Sequence, residues 1–250
     1  GNLNEGSATW LADLTGAMMQ EGTTSLDSKA LNRKAAELGG SIGISVGSET
    51  TSVSISSLSE RESEAIALLA DVVRNPALPE EELPRIRADF IRNLSISRVR
   101  PQGQAAVAFN ARIYGDHPFA AVYPSEEQLV GYGIEDVRRF YSTNFGAQRS
   151  HLFVSGLFDP AEMRAAVEEH FAGWAPGPEV FIQVPTPSRV GSLQIIDRPG
   201  APQSTVRIRL AVVDPSHPDD GARRVNKTVL GGYFSSRIAD NIREDKGYSY

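Results

Sequence analysis

An α+β fold, helices layered on a mostly antiparallel sheet, is predicted for this chain by three observations. Apolar residues recur at helical spacing in several separate segments, beginning with Leu11, Leu14 and Met18. Strict alternation at Ile42, Ile44 and Val46, and again at Val53 and Ile55, marks a hairpin with one buried face. Strand-like segments then return after the helices, at 151–155, 192–196 and 205–212.

Each element has a local reason. The first helix carries Trp10 and Ala17 beside its apolar stripe, and Gly22 stops it. A second helix over 28–38 is closed by Gly39-Gly40, and the hairpin follows. Ser59 and Glu62 form a capping-box signature before an apolar helix over 65–73. A polar helix spans 79–98, with Pro84 in its first turn, where a missing donor is tolerated. Helical stretches near 104–114 and 134–141 precede the strand 151–155, and a helix over 160–171 closes this part. After the turn Arg198-Pro199-Gly200 and the last strand, a helix starts near Asp219, is interrupted by Gly231 and Gly232, and resumes over 234–243.

Proline and glycine cluster at Ala175-Pro176-Gly177-Pro178 and at 185–187. The expected organisation is therefore a first α+β domain over 1–177, a linker over 178–190 and the start of a similar domain over 191–250. The loop-like opening at Gly1 and the stop at Tyr250, three residues after a glycine, read as cut ends. On this reading N-terminal strands are missing and the second domain is truncated.

Composition narrows the function classes. In 250 residues, 40% are hydrophobic and 22% charged, as in ordinary globular proteins. The net charge of −6, from 25 Lys plus Arg against 31 Asp plus Glu, argues against nonspecific nucleic-acid binding. No apolar run approaches the length of a spanning helix, and no signal peptide is visible. Cysteine is absent, which removes disulfides, thiolate metal sites and a cysteine nucleophile. The four histidines, His117, His151, His170 and His217, show no short ligand spacing, and neither glycine pair sits in a phosphate-loop context. No Gly-x-Ser-x-Gly elbow occurs, so the serines of 48–59 read as a solvent face of the hairpin.

Several landmarks fall in a fixed order. They are Met18-Met19-Gln20-Glu21-Gly22-Thr23, Leu38-Gly39-Gly40, Tyr114-Gly115-Asp116-His117-Pro118, Asp197-Arg198-Pro199-Gly200-Ala201-Pro202-Gln203, and Leu230-Gly231-Gly232 before Ser235-Ser236-Arg237. In this order the chain resembles the pitrilysin-type (M16) metallopeptidase family, particularly its shorter bacterial members. The resemblance implies M16 peptidase-like (LuxS/MPP-like) tandem domains.

Peptide-cutting members of that family carry an inverted zinc motif, His-x-x-Glu-His, on the first helix. Its two imidazoles share a helix face and hold the metal, and its glutamate is the base for the metal-bound water. In the family register the first histidine falls on Asp13, the base on Gly16 and the second histidine on Ala17, while the distant glutamate ligand falls at Asn93. The resemblance therefore implies no zinc and no other cofactor in this chain. The family's substrate-holding Arg-x6-Tyr pair, by contrast, falls on Arg243 and Tyr250. A guanidinium and a phenol, oriented in advance, suit a peptide carbonyl that gains negative charge.

The leading expectation is thus the non-zinc subunit of a heterodimeric zinc metalloendopeptidase. It would be inactive alone and would lend Arg243 and Tyr250 to a homologous zinc-bearing M16 subunit acting on unfolded peptide. The alternative is a catalytically inactive structural or peptide-binding homologue, like the family's core subunits of respiratory complexes. The compartment expected from the bacterial relatives is the periplasm, with the cytoplasm the alternative.

Overall fold

A computed structural model describes the chain except for residues 180–183, 189, 190, 192, 210, 211 and 250. It divides into two compact units, Gly1–Val206 and Arg207–Tyr250. Among the described residues the fold is mostly helical with one small antiparallel sheet.

In the first unit, α1 (Leu11–Met19) is the central element, with Leu14, Met18 and Met19 fully buried. Burying each such side chain contributes about 1.5–3 kcal/mol. Around α1 pack α4 (Leu83–Val99), α6 (Glu126–Gly131) and α7 (Ile134–Asn144), through Ile86, Leu94, Leu129, Val137 and Phe140. Gly22 ends this first segment at φ +123°, and a Cβ there would stand 2.4 Å from the Leu26 carbonyl oxygen. Only glycine fits that turn.

A second core joins α2 (Ser28–Glu37) and α3 (Glu62–Arg74) to the hairpin β1 (Ile42–Val46) and β2 (Thr51–Ile55). The strands pair Ile42 with Ile55, Ile44 with Val53 and Val46 with Thr51. Leu31, Leu68 and Val72 receive the Ile42, Ile44, Val53 and Ile55 face of the sheet. The period-two pattern therefore gives the hairpin and its buried face, and the pairing keeps the apolar residues of both strands on that face. Helix starts are capped where short polar side chains precede them. Asp27 accepts from Ala30 N at 2.7 Å, and Asp159, at the start of α8 (Pro160–Phe171), accepts from Ala161 N and Glu162 N. A long helix, α5 (Pro101–Tyr114), follows α4 after Arg100 and keeps only Gly103 buried.

Five expectations are corrected. Residues 151–155 form no strand; Leu152, Phe153 and Val154 are exposed. A strand needs a neighbour to satisfy its N–H and C=O groups, and no described segment supplies one. The same holds for the described parts of 192–196 and 205–212; Ser192, Leu210 and Ala211 lie outside the described residues. The capping box at Ser59 does not form, because Ser59 Oγ donates to the Glu60 carboxylate and a 3-10 turn (Ser59–Arg61) delays the helix to Glu62. Finally, the helix expected over 234–243 is broken. A single turn (Arg237–Ala239), capped by Ser236, leads into a wide π-helical turn (Asp240–Asp245).

In the second unit, α9 (Asp220–Lys227) is locked at its start by Asp220, which pairs with both Arg223 and Arg224. A π-helical turn (Thr228–Gly232) follows.

Candidate functional site

The first candidate region is the face of α1. Trp10 precedes the helix in the left-handed conformation, at φ 69°, and its indole Nε1 donates to the Val122 carbonyl at 3.1 Å. Phe90 and Tyr123 meet its ring edge-on. With Trp10 turned this way, the helix start lacks a cap of its own, and Glu5 supplies one from outside. Its carboxylate accepts from Trp10 N at 3.0 Å and from Ala12 N at 2.7 Å.

Burial pushes the Glu5 carboxyl up to about 7; the hydrogen bond from Ala12 N opposes the rise and the nearby Asp13 charge adds to it. Asp13 is also raised, chiefly by burial and against the hydrogen bond from Asn2, whose Nδ2 donates at 2.9 Å. Asp13 is thus engaged with its own N-terminal segment.

Gly16 lies one helical turn further on. A Cβ built there would stand 2.7 Å from Val46 Cγ2 and 3.6 Å from Ile44 Cγ2. β1 packs closely against the helix backbone here, and the space a larger side chain would need is filled by the valine methyl. Ala17 packs against the same core as Leu14 and Met18. Asn93 sits on α4 and is exposed. These residues do not fit zinc: glycine and alanine carry no donor, and Asp13 is already bound to Asn2. Among the described residues no group of three or more His, Asp or Glu side chains could hold a metal ion.

The end of α1 is tied down electrostatically. Glu21 accepts from Arg85 Nη2 at 2.7 Å, and Arg85 also pairs with Glu82. Beside it a cavity of about 110 Å³ is lined by Gln20, Ser28, Leu31, Asn32, Ile42 and Ile44. Small-molecule sites run to about 300–1,000 Å³, so this space is smaller than a usual ligand site.

The second candidate region lies in the second unit. Arg243 stacks its guanidinium on Phe234, with Cζ 3.6 Å from the ring centroid. Its Nε and Nη2 both reach Glu244 Oε1, at 2.8 and 2.7 Å. Tyr250, the other half of the expected pair, lies outside the described residues. Tyr248 is exposed, and its N–H donates to the Ile242 carbonyl.

Three features escaped sequence reasoning. Glu5 stands outside any standard cap position, and the approach of Val46 to Gly16 is tertiary. Phe234 could have been suspected as one of two adjacent aromatics, with Tyr233, between two glycines and a Ser-Ser-Arg run.

Two sequence profiles match this chain. The one described as insulinase (peptidase family M16) matches residues 2–112, and the one described as peptidase M16 inactive domain matches residues 133–250. An uncharacterized zinc protease of Rickettsia felis is 24% identical over 240 residues, covering 93% of this chain and 56% of that protein. Subunit 1 of the bovine mitochondrial cytochrome b-c1 complex is 25% identical over 217 residues, covering 85% of this chain and 45% of the subunit. The chain thus spans about half the length of the curated relatives it matches. The crystal structure of a peptidase M16 inactive domain from Pseudomonas fluorescens superposes with a TM-score of 0.75 at 22% identity, covering 100% of this chain and 61% of that one. The two profiles describe one family and between them match residues 2 to 250 except 113–132, so the chain belongs to the peptidase M16 family.

Proposed function

We propose that this chain is a catalytically inactive M16 homologue that binds unfolded peptide and assembles with partners, and hydrolyses nothing alone. The observation that carries this reading is the α1 face, where Val46 fills the place of the base and Ala17 stands at a ligand position. The match of residues 133–250 to an inactive-domain profile supports it. So does the similarity to a respiratory-complex subunit.

A second reading is favoured by one specific observation, the ordered guanidinium of Arg243. Here the chain is the non-zinc half of a heterodimeric metallopeptidase. Arg243 and Tyr250 hold the peptide carbonyl, and a homologous zinc-bearing subunit supplies metal and base. The domain division we propose remains 1–177, linker 178–190 and 191–250, on the proline and glycine clusters. Limited proteolysis that spares 178–190 and cuts elsewhere would count against it. The compartment we propose is the periplasm, to be checked by fractionation of cells expressing the protein.

The deciding experiment measures zinc content and cleavage of an unstructured peptide, for this chain alone and mixed with an M16 chain carrying an intact inverted zinc motif. An inert chain that adds nothing to its sister's activity, yet binds the peptide, supports the first reading. Activity found only in the mixture, and lost with Arg243→Ala, selects the second. Zinc-dependent activity in this chain alone overturns both.

A further inference from the structure

The aromatic ring of Phe234 is largely exposed, at 67%, although burying it would be favourable. What it contacts is the Arg243 guanidinium, which lies 3.6 Å above the ring centroid. At an exposed site such a contact adds little to stability, so its main consequence is orientation. One further contact fixes the same side chain, and two others shape its surroundings. Glu244 Oε1 bridges Nε and Nη2 along one edge. Gly247, at φ +60°, turns the chain so that its N–H donates to the Arg243 carbonyl at 3.1 Å. Lys246, the nearest other cation in sequence, is held away by Asn241 Oδ1 at 2.8 Å.

Arg243 also lies on the π-helical turn Asp240–Asp245, a distortion that is frequent at functional sites. With the ring beneath and Glu244 on the Nε edge, the Nη1 group has no hydrogen bond among the described residues. A guanidinium held flat, with one edge open, is set to donate in a fixed plane to a peptide oxygen.

We infer that Phe234 is a positioning residue, which holds the Arg243 guanidinium with its Nη1 edge presented to a peptide acceptor. The inference rests on the peptide-handling reading above, and it assigns to Phe234 a role that spacing did not reveal. Phe234 touches no peptide in this scheme. It acts through Arg243.

The test uses the whole chain with labelled arginine. Arg243 side-chain resonances, assigned through Arg243→Ala, are expected to be shifted upfield by the ring. That shift should persist in Phe234→Tyr and vanish in Phe234→Leu. Binding of an unstructured Gly/Ser/Ala/Leu peptide should weaken about two- to fivefold in Phe234→Leu, more in Arg243→Ala, and remain unchanged in Phe234→Tyr. Should Phe234→Leu fail to fold, Phe234→Met removes the ring with a more adaptable side chain and carries the same test. An Arg243 shift that survives loss of the ring overturns the inference, whatever the peptide does. Absence of peptide binding, or binding indifferent to Arg243→Ala while the ring shift is present, overturns the peptide-handling reading and leaves the positioning result standing.

Discussion

The two candidate regions are held in different ways. On α1 the residues are engaged in packing: Gly16 lies under Val46, Ala17 packs against the core, and Asp13 binds Asn2. In the second unit, Arg243 keeps a charged, oriented head whose supports are local and partly exposed. Close packing leaves an inward-facing position no spare volume, whereas a partly exposed guanidinium keeps an open edge.

The largest expected difference between the regions is in stability. Leu14→Ala, at a fully buried position of α1, should cost about 2–5 kcal/mol in chemical denaturation. Val225→Ala, at an exposed position of α9, should change it by less than about 0.5 kcal/mol. Equal effects would break the distinction between a packed site and an open one.

A sharper probe is Gly16 itself. Helix propensity alone favours alanine over glycine by about 1 kcal/mol, but the new Cβ would meet a β-branched methyl at 2.7 Å. The clash should win, with Gly16→Ala destabilising by about 1–3 kcal/mol. Val46→Ala should reverse much of that loss in the double variant, giving a coupling energy that separated sites do not show. The corollary concerns metal. Histidine at 13 and 17 with glutamate at 16 and 93 should fail to bind zinc with Val46 in place, as read by metal content after dialysis. Stoichiometric zinc in that variant would show that Gly16 is vacant rather than filled.

Much of this was legible in the sequence, for physical reasons that also mark its limit. Helices α1 to α4 and the hairpin follow from periodicity, because their apolar faces meet cores built largely from one another. Segment 151–155 has a strand's composition, yet pairing depends on a neighbour that composition does not supply. Short α6 was overlooked although Ser125-Glu126-Glu127-Gln128 carries the capping signature, and Ser125 does cap Gln128 N at 3.0 Å. The same signature at Ser59 fails. The motif states which bonds are available, and the surrounding packing selects among them. For the site, residue identities were readable but their surroundings were not. Asp13, Gly16 and Ala17 can be placed in the family register from the sequence, whereas the methyl of Val46 and the ring of Phe234 come from tertiary contacts.

The pH dependence of α1 offers a smaller, signed effect. Glu5 holds the helix start, and burial lifts its carboxyl from an ordinary value of 4.5 to about 7. A raised acid favours the protonated form in the fold. Its contribution is complete below 4.5 and is lost as pH rises through about 7. Asp13 is shifted in the same direction and adds with the same sign. The lowered carboxyls of Asp71 and Asp159 act oppositely, contributing above their ordinary value of 3.8 and failing only as pH falls below it. Thermal unfolding should therefore show stability declining between pH 4.5 and about 7, with a flatter profile in Glu5→Gln. An unchanged slope in that variant would assign the decline to other groups.

The smallest expected effect is the most informative about the second region. Arg243→Ala removes a stacked, ion-paired side chain, yet both partners are exposed: Phe234 at 67%, and the Glu244 side chain at 60%. Exposed pairs of this kind contribute about 0–1 kcal/mol, so the midpoint of unfolding should barely move. Peptide affinity should fall clearly in the same variant. A residue placed for stability would show the reverse, a shifted midpoint with binding intact. Separation of the two readouts at Arg243, set against the large stability loss at Leu14, would distinguish a side chain kept for what it contacts outside the fold from one kept for what it buries within it.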